Sequence, residues 1–273
     1  MRQAAPEKKP LGLYIHIPFC KRKCAYCDFY SLAGAEGRMD DYADALCAHL
    51  TEQAAYLTGY RVDTVYFGGG TPSYLGAKRL EKILRTVFKR FGVAKDAEIT
   101  LEANPVSAGD RRELKRLRKA GFNRLSLGMQ SADGAELEEI GRIHTPEQTA
   151  AAVEAARKAG FDNLSLDLIY GLPHQTGERW MENLTAAADL SPEHLSCYGL
   201  KVEEGTPLYL RRDTADLPGD EAQAEMYLRT VEVLSRRGYA QYEISNFARP
   251  GRESRHNLKY WTLGEYAGFG PGA

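Results

Sequence analysis

The chain has 273 residues, of which 43% are hydrophobic and 27% are charged, as in an ordinary globular protein of one large domain or two small ones. The formal net charge is −1, so neither nucleic acid nor an anionic membrane is expected as the main partner. No apolar run is long enough to span a bilayer, and residues 1–10 are expected to form a disordered tail rather than a targeting peptide, which predicts a cytoplasmic location.

Short apolar runs alternate with longer amphipathic ones along the chain. Strands are predicted at residues 13–17, 64–67, 98–102, 124–127, 163–168 and 194–198, and helices at 39–57, 77–91, 109–120, 146–159, 177–189 and 221–237. Gly121 and Gly160 each follow a helix that ends in Lys-Ala, where glycine is the usual C′ residue. Regular strand–helix alternation predicts parallel strands with crossover helices, arranged as a barrel, a partial barrel or an open doubly wound sheet.

Unusual polar residues follow five successive predicted strands. Residues 20–27 follow the first strand and 68–72 the second, Glu102 ends the third, Gln130 follows the fourth, and Asp167 lies near the end of the fifth. Barrels of β/α units place their active sites at the carboxyl ends of their strands, whereas an open sheet concentrates them at one switch point. This distribution favours a barrel-like arrangement.

Cys20, Cys24 and Cys27 form a C-x3-C-x2-C loop directly after the first predicted strand. Three thiolates so close in sequence can hold three irons of a [4Fe–4S] cube and leave the fourth iron open. A zinc site or free thiols are the alternatives, although zinc usually takes four ligands and the possible fourth one, His16, lies within the strand. Five cysteines without a secretory signal disfavour disulfides.

The two other cysteines and the glycine run can be explained by structural roles alone, without a bound ligand. Cys47 and Cys197 lie in apolar periodic segments and are predicted to be buried core residues. The glycines of residues 68–70 allow the backbone to approach a ligand, yet a run of glycines is often only a tight turn. The run is followed by neither a phosphate-loop nor a dinucleotide-loop pattern.

Four polar residues could act together at one end of a barrel. Glu102, Gln130, Arg142 and Asp167 adjoin turn-forming residues, where solvation or helix capping is the common role. Together they could hold a ligand with amine, carboxylate and ribose groups, because carboxylates bind amines and hydroxyls and an arginine binds a carboxylate.

His256 opens the late segment His-Asn-Leu-Lys-Tyr-Trp, which ends at Trp261. A lone histidine is more often structural than a ligand, and an adjacent Tyr–Trp pair more often belongs to the core. Alternatively, His256 could coordinate a heme iron beside aromatic side chains.

These motifs together resemble the radical S-adenosylmethionine (SAM) superfamily, close to the oxygen-independent coproporphyrinogen III oxidase group. The resemblance covers nearly the whole chain and rests on six segments: Tyr14-Ile-His-Ile-Pro-Phe-Cys20, the cysteine loop, Gly68-Gly-Gly-Thr-Pro72, Leu101-Glu-Ala-Asn-Pro105, Leu125-Ser-Leu-Gly-Met-Gln-Ser131 and Asp167-Leu-Ile-Tyr-Gly-Leu-Pro173. The oxidase branch of this group carries an additional cysteine where this chain has Phe29. The heme chaperone branch, HemW, resembles this chain in that pattern and in the motif around His256.

The resemblance implies a partial (β/α)6 barrel over residues 11–245, followed by the start of a further C-terminal segment at 246–273. Cys20, Cys24 and Cys27 would ligate a [4Fe–4S] cluster whose open iron binds SAM. Positions that match the SAM sites of the group are Tyr14, Tyr26, Gly69, Gly70, Thr71, Glu102, Gln130, Arg142 and Asp167. His256 would be the axial ligand of a separately bound heme, and the chain is expected to be truncated after its last glycine motif.

The resemblance also implies two functions. The first is a heme carrier that passes heme to a heme-requiring respiratory protein. The second is an enzyme that performs SAM-dependent oxidative decarboxylation of coproporphyrinogen propionates, and the residue at position 29 favours the first.

Overall fold

The structure, a computed structural model, describes residues 8–273. Its main sheet contains nine strands: β1 Lys9–Ile17, β2 Tyr60–Gly69, β3 Val93–Ala103, β4 Arg124–Gln130, β5 Leu164–Tyr170, β6 His194–Gly199, β7 Ala240–Gln241, β8 Asn246–Ala248 and β9 Tyr266–Phe269. A separate pair of two-residue strands, Phe19–Cys20 and Leu32–Ala33, flanks the cysteine loop. Most of the predicted tail lies outside the described residues, and Lys9 and Pro10 already belong to β1.

The sheet is an open barrel. Its spatial order is β9-β1-β2-β3-β4-β5-β6-β8-β7, and the seven strands from β9 to β6 run parallel. The strands β8 and β7 extend the β6 edge in the antiparallel sense. The predicted partial (β/α)6 barrel is therefore confirmed, with β9 as an additional parallel strand beside β1.

Nine helices lie among the described residues: α1 Met39–Gln53, α2 Ala77–Arg90, α3 Arg111–Ala120, α4 Gly134–Glu139, α5 Pro146–Ala159, α6 Gly177–Asp189, α7 Pro207–Leu210, α8 Asp220–Arg236 and α9 Arg255–Trp261. The six predicted helices match α1, α2, α3, α5, α6 and α8. None of the described helices is long and apolar enough to cross a bilayer.

The local sequence explains where several helices begin and end. The carboxylate of Asp110 accepts from the Arg112 amide at 2.7 Å at the start of α3, and Thr145 and Gln148 form a capping box at the start of α5. Gly121 and Gly160 terminate α3 and α5 with positive φ angles of 125° and 96°, as predicted for C′ glycines.

Side chains alternate between the two faces of the parallel strands. On β4, Leu125 and Leu127 are fully buried in the layer between strands and helices, whereas Arg124 and Ser126 face the barrel interior and line its cavity. The same alternation on β5 directs Asp167 inward. The apolar layer holds the helices on the strands, and the interior face is left free for polar residues.

Helix α9 forms part of the floor of the barrel. The Glu98 carboxylate on β3 accepts from the backbone N–H groups of Arg255 at 3.1 Å and His256 at 3.0 Å, so it satisfies the free amides of the first turn. Further along the helix, the Lys259 ammonium group pairs with the Asp63 carboxylate of β2 at 2.9 Å. Both ends of this short helix are therefore attached to the strands beneath it.

Candidate functional site

A cavity of about 1030 Å³ opens at the carboxyl ends of the parallel strands. Its lining includes all three loop cysteines and eight of the other predicted site residues: Tyr26, Gly69, Gly70, Thr71, Glu102, Gln130, Arg142 and Asp167. The cavity lies where β/α barrels place their active sites, at the upper end of the usual range of ligand pockets, about 300–1,000 Å³. The structure therefore brings these predicted residues into one site.

The cysteine loop forms one wall of this cavity. Cys20 is buried, whereas Cys24 and Cys27 are half-buried, and the Cys27 amide donates to the carbonyl oxygen of Cys24 at 3.3 Å. Burial raises the pKa of the Cys20 thiol and of the Cys27 thiol. Outside this loop, Cys197 is buried as predicted, while Cys47 is only half-buried against the core.

Two polar side chains contact the cysteine sulfurs. The Thr71 hydroxyl lies 3.5 Å from Cys20 Sγ, and the Arg142 guanidinium donates to Cys24 Sγ at 3.6 Å. Arg142 also donates to the Gly128 carbonyl oxygen at 2.7 Å, which fixes the guanidinium against β4. Donors directed at sulfur are what a cluster-ligating thiolate needs, because they disperse its negative charge.

The glycine run packs directly against the first strand and the cysteine loop. A Cβ atom on Gly70 would lie 2.9 Å from the Phe19 carbonyl oxygen and 3.1 Å from Cys20 Sγ. Gly69 has a φ of 113°, and a Cβ atom there would lie 2.6 Å from the His16 ring. The run therefore forms a close backbone contact beside a cysteine sulfur, which only glycine permits.

Gln130 lies at an irregular position at the end of β4. The register between β4 and β5 shifts between Gly128 and Gln130, and Gln130 has a φ of 64°, which is uncommon for a residue with a side chain. The Gln130 side chain and the Arg142 guanidinium are neighbours over Gly128. A Cβ atom built on Gly128 would lie 2.9 Å from the Gln130 amide nitrogen and 3.1 Å from an Arg142 guanidinium nitrogen. Such bulges direct side chains into functional sites.

Glu102 is held between two neighbouring strands. Its carboxylate accepts from the Tyr66 hydroxyl at 2.7 Å and from the Gly69 amide at 3.2 Å. Burial raises the pKa of Glu102 to about 7, and the nearby charge of Asp167 adds to this effect. The carboxyl group is thus poised between its charged and neutral forms near neutral pH.

Asp167 lies on the interior face of β5 beside a buried cation. Its carboxylate accepts from the Ser126 hydroxyl at 3.0 Å, and burial raises its pKa. Arg124 is 2% exposed and lines the same cavity, and its Nε has no hydrogen-bond partner among the described residues. The positive charge of Arg124 lowers the pKa of both Glu102 and Asp167 and opposes the effect of burial.

Two predicted site residues lie outside the cavity lining. The Tyr14 hydroxyl donates to His16 Nδ1 at 3.2 Å, and its ring stacks against Tyr66 at a centroid distance of 6.2 Å. His256 is 1% exposed, and its two ring nitrogens bind the hydroxyls of Thr64 at 2.8 Å and Tyr260 at 2.9 Å. Both ring nitrogens are therefore hydrogen-bonded in this structure, and axial ligation of heme by His256 stays a prediction that requires one of these two bonds to break.

Several cavity residues were not predicted from the sequence, namely Tyr66, Arg124, Ser126, Ser196 and Tyr198. They occupy inward positions on strands whose outward positions carry leucine or other apolar residues. A polar or charged residue at every second position of an otherwise apolar strand was the signal that could have identified Arg124 and Ser126.

The residues of the loop fit an iron–sulfur cluster by their chemistry. Within residues 8–273, no three His, Cys, Asp or Glu side chains converge closely enough to bind a single metal ion. A cube binds each thiol at a different iron, so its ligands need not converge on one point. Three thiols on one cavity wall, with a close glycine backbone and two polar donors at the sulfurs, provide the donor set that such a cluster uses.

Comparison with known proteins shows the family of the chain. The family model described as "Radical SAM superfamily" matches residues 14–187, and the chain belongs to that superfamily. Heme chaperone HemW of Escherichia coli (strain K12) is 42% identical over 97% of this chain and 69% of its own length. Heme chaperone HemW of Mycobacterium tuberculosis (strain CDC 1551 / Oshkosh) is 43% identical with the same coverage. Within the superfamily, the chain belongs to the HemW family.

A solved structure shares the fold. Coproporphyrinogen III oxidase (HemN) from Escherichia coli, described as a radical SAM enzyme, superposes with a TM-score of 0.82 at 32% identity. The match covers 90% of this chain but 57% of the oxidase chain, so this chain spans somewhat more than half of that enzyme. The predicted resemblance to the coproporphyrinogen oxidase group and to its HemW branch is confirmed.

Proposed function

We propose that this chain is a heme chaperone that binds heme and transfers it to a heme-requiring respiratory protein. The observation that carries the proposal is the identity of 42% to heme chaperone HemW of Escherichia coli across 97% of the chain. Phe29, at the position where the oxidase branch is expected to carry another cysteine, supports the same choice.

Cys20, Cys24 and Cys27 hold a [4Fe–4S] cluster in this proposal. When bound, the cluster supplies redox chemistry and an iron with an open position for the amino and carboxylate groups of SAM. Thr71 and Arg142 stabilise the cysteine sulfurs by donating to them. Glu102, Gln130 and Asp167 line the same cavity and bind the amine and hydroxyl groups of SAM.

The test is anaerobic iron–sulfur reconstitution followed by heme titration, read by absorption spectroscopy and by iron analysis. We expect about four irons per chain and stoichiometric heme binding. Cys27→Ser should abolish cluster formation, whereas Cys47→Ser, which changes a thiol outside the loop, should not. Cluster formation without heme binding would contradict the chaperone proposal.

A second candidate is SAM-dependent oxidative decarboxylation of coproporphyrinogen propionates. The likeness to coproporphyrinogen III oxidase at a TM-score of 0.82 and 32% identity favours it. Turnover of coproporphyrinogen III by the reconstituted chain would establish this activity, and cluster-loaded protein without turnover would exclude it.

A further inference from the structure

The mouth of the barrel cavity has an apolar rim. Four large hydrophobic side chains line the cavity and are nevertheless strongly exposed: Phe29 at 65%, Val106 at 39%, Tyr198 at 41% and Ile244 at 66%. They belong to the cysteine loop, the loop after β3, strand β6 and the loop between β7 and β8. Exposed apolar groups that converge from separate segments on one concave surface indicate a binding surface.

The same mouth carries more basic than acidic side chains, because Asp28 and Glu203 are its acidic residues beside four cations. Lys21, Arg22 and Lys23 between the first two cysteines, and Lys201 after β6, all line the cavity. No ion pair of these four residues is found within residues 8–273. Arg124 adds a buried guanidinium deeper in the cavity, with Nε unpartnered among the described residues. An apolar rim with cations that form no ion pair is complementary to a flat apolar ligand that carries carboxylates.

We propose that heme binds across this mouth, with its macrocycle against Val106, Tyr198 and Ile244 and its propionates near Lys201 and the lysines of the cysteine loop. The proposal rests on the proposed heme-chaperone function and specifies its binding site. It assigns heme to the carboxyl end of the barrel, beside the cysteine loop, and not to the segment around His256.

The alternative surface for heme is helix α9 together with residues 262 and 263, which follow it. Trp261 is 59% exposed and Leu263 is 92% exposed, but neither lines the cavity. Lys259, the nearest cation on this helix, is paired with Asp63. This segment therefore provides apolar groups without the enclosing walls or the free cations of the barrel mouth.

Heme titration of the reconstituted chain and of matched surface variants tests the proposal. Ile244→Asp and Val106→Asp place a carboxylate on the rim, and we expect each to weaken heme binding about tenfold, because that carboxylate loses hydration without gaining a partner. Leu263→Asp makes the same change at an exposed apolar residue outside the cavity and should leave the Kd unchanged. All three positions are exposed, so circular dichroism and thermal unfolding should show folded proteins.

A second pair of variants tests the charges. Lys201→Glu should weaken heme binding about threefold at low salt and less at high salt. Lys89→Glu, at an exposed position on α2, makes the same change in net charge and should have no effect.

The outcomes separate the two proposals. If the unmodified chain binds no heme, the chaperone function fails, and the site fails with it. If the unmodified chain binds heme but Ile244→Asp and Val106→Asp bind it equally well, the function stands and the site at the barrel mouth is overturned. Loss of binding in Leu263→Asp or Trp261→Ala alone would place heme on the α9 surface instead.

Discussion

His256 Nδ1 lies 2.8 Å from the hydroxyl oxygen of Thr64, inside the barrel and beneath the cavity. The other ring nitrogen binds the Tyr260 hydroxyl at 2.9 Å, and the ring stacks on Tyr66 at a centroid distance of 5.2 Å. Tyr66 in turn donates to the Glu102 carboxylate, which lines the cavity. The histidine of the late motif is thus connected to the site through packing and hydrogen bonds, and both of its ring nitrogens have hydroxyl partners.

His256→Ala should lower the free energy of unfolding by about 3 kcal/mol, because it leaves a cavity and two buried hydroxyls without partners. Heme affinity of the folded variant should be unchanged. His256→Gln, whose amide can donate and accept, should recover part of the lost stability. Urea unfolding and heme titration of both variants check this, and loss of heme binding at unchanged stability would restore His256 as a heme ligand.

Buried neutral histidines should make the fold sensitive to acid. Burial lowers the pKa of His256 to about 3 and that of His144 to about 4, both below the usual value of 6.5. Because the unfolded chain binds these protons first, their contribution to stability is complete above pH 6.5 and is lost as the pH falls towards the folded values. The free energy of unfolding should fall with pH by about 0.7 kcal/mol per pH unit at pH 6.5, steepening to about 1.4 kcal/mol per pH unit near pH 5, for each such histidine.

Urea unfolding at several pH values tests this expectation, with His256→Gln as the comparison. Between about pH 6.5 and pH 5, the free energy of unfolding of the variant should depend less steeply on pH, because one buried neutral histidine is missing. Identical slopes for the two proteins would show that His256 is not held neutral in the folded chain.

Much of the fold was predictable, because apolar periodicity and helix-terminating glycines are local signals. The predicted helix over residues 146–159 coincides with α5, whose capping box and C′ glycine both lie in the sequence. The strand β9 was missed, since its four residues include a glycine and gain their stability from distant β1. The cysteine loop, Glu102 and Asp167 were found from their positions at or near the carboxyl ends of strands. Arg124 was missed although it alternates with apolar residues on β4, whereas Tyr66 gives no such signal, because an aromatic residue fits either face of an apolar strand.

The close approach of the glycine run to the cysteine loop gives a prediction about cluster formation. Gly70→Ala would place a Cβ atom 2.9 Å from the Phe19 carbonyl oxygen and 3.1 Å from Cys20 Sγ. Overpacking of this kind costs about 1–3 kcal/mol and should displace the cysteine loop. We expect the variant to incorporate clearly less iron on anaerobic reconstitution than the unmodified chain.

Gly134→Ala is the matched control, because a Cβ atom there has no neighbour within 4 Å. It should incorporate iron normally. Equal iron content in the two variants would show that the loop tolerates the added methyl group and that the close contact is not needed for cluster binding.

Arg124 should stabilise the charged forms of Glu102 and Asp167. Burial raises the pKa of Glu102 from 4.5 to about 7, so the folded chain holds this proton more tightly than the unfolded chain does. The stability gained from the bound proton is complete below pH 4.5 and is lost as the pH rises through 7. Removing the neighbouring cation in Arg124→Met should raise the pKa values of both carboxyl groups further. The variant should therefore lose about 3 kcal/mol at about pH 8 and less at about pH 5, where Glu102 is protonated in the folded chain.

Urea unfolding of Arg124→Met at these two pH values measures this difference directly. Arg116→Met is the control, because Arg116 is 46% exposed and pairs with Glu81 at the surface, so its removal should cost at most about 1 kcal/mol at either pH. An equal loss for Arg124→Met at both pH values would mean that the guanidinium contributes through packing alone. A loss that grows with pH would identify it as the cation that keeps two carboxylates charged inside the barrel.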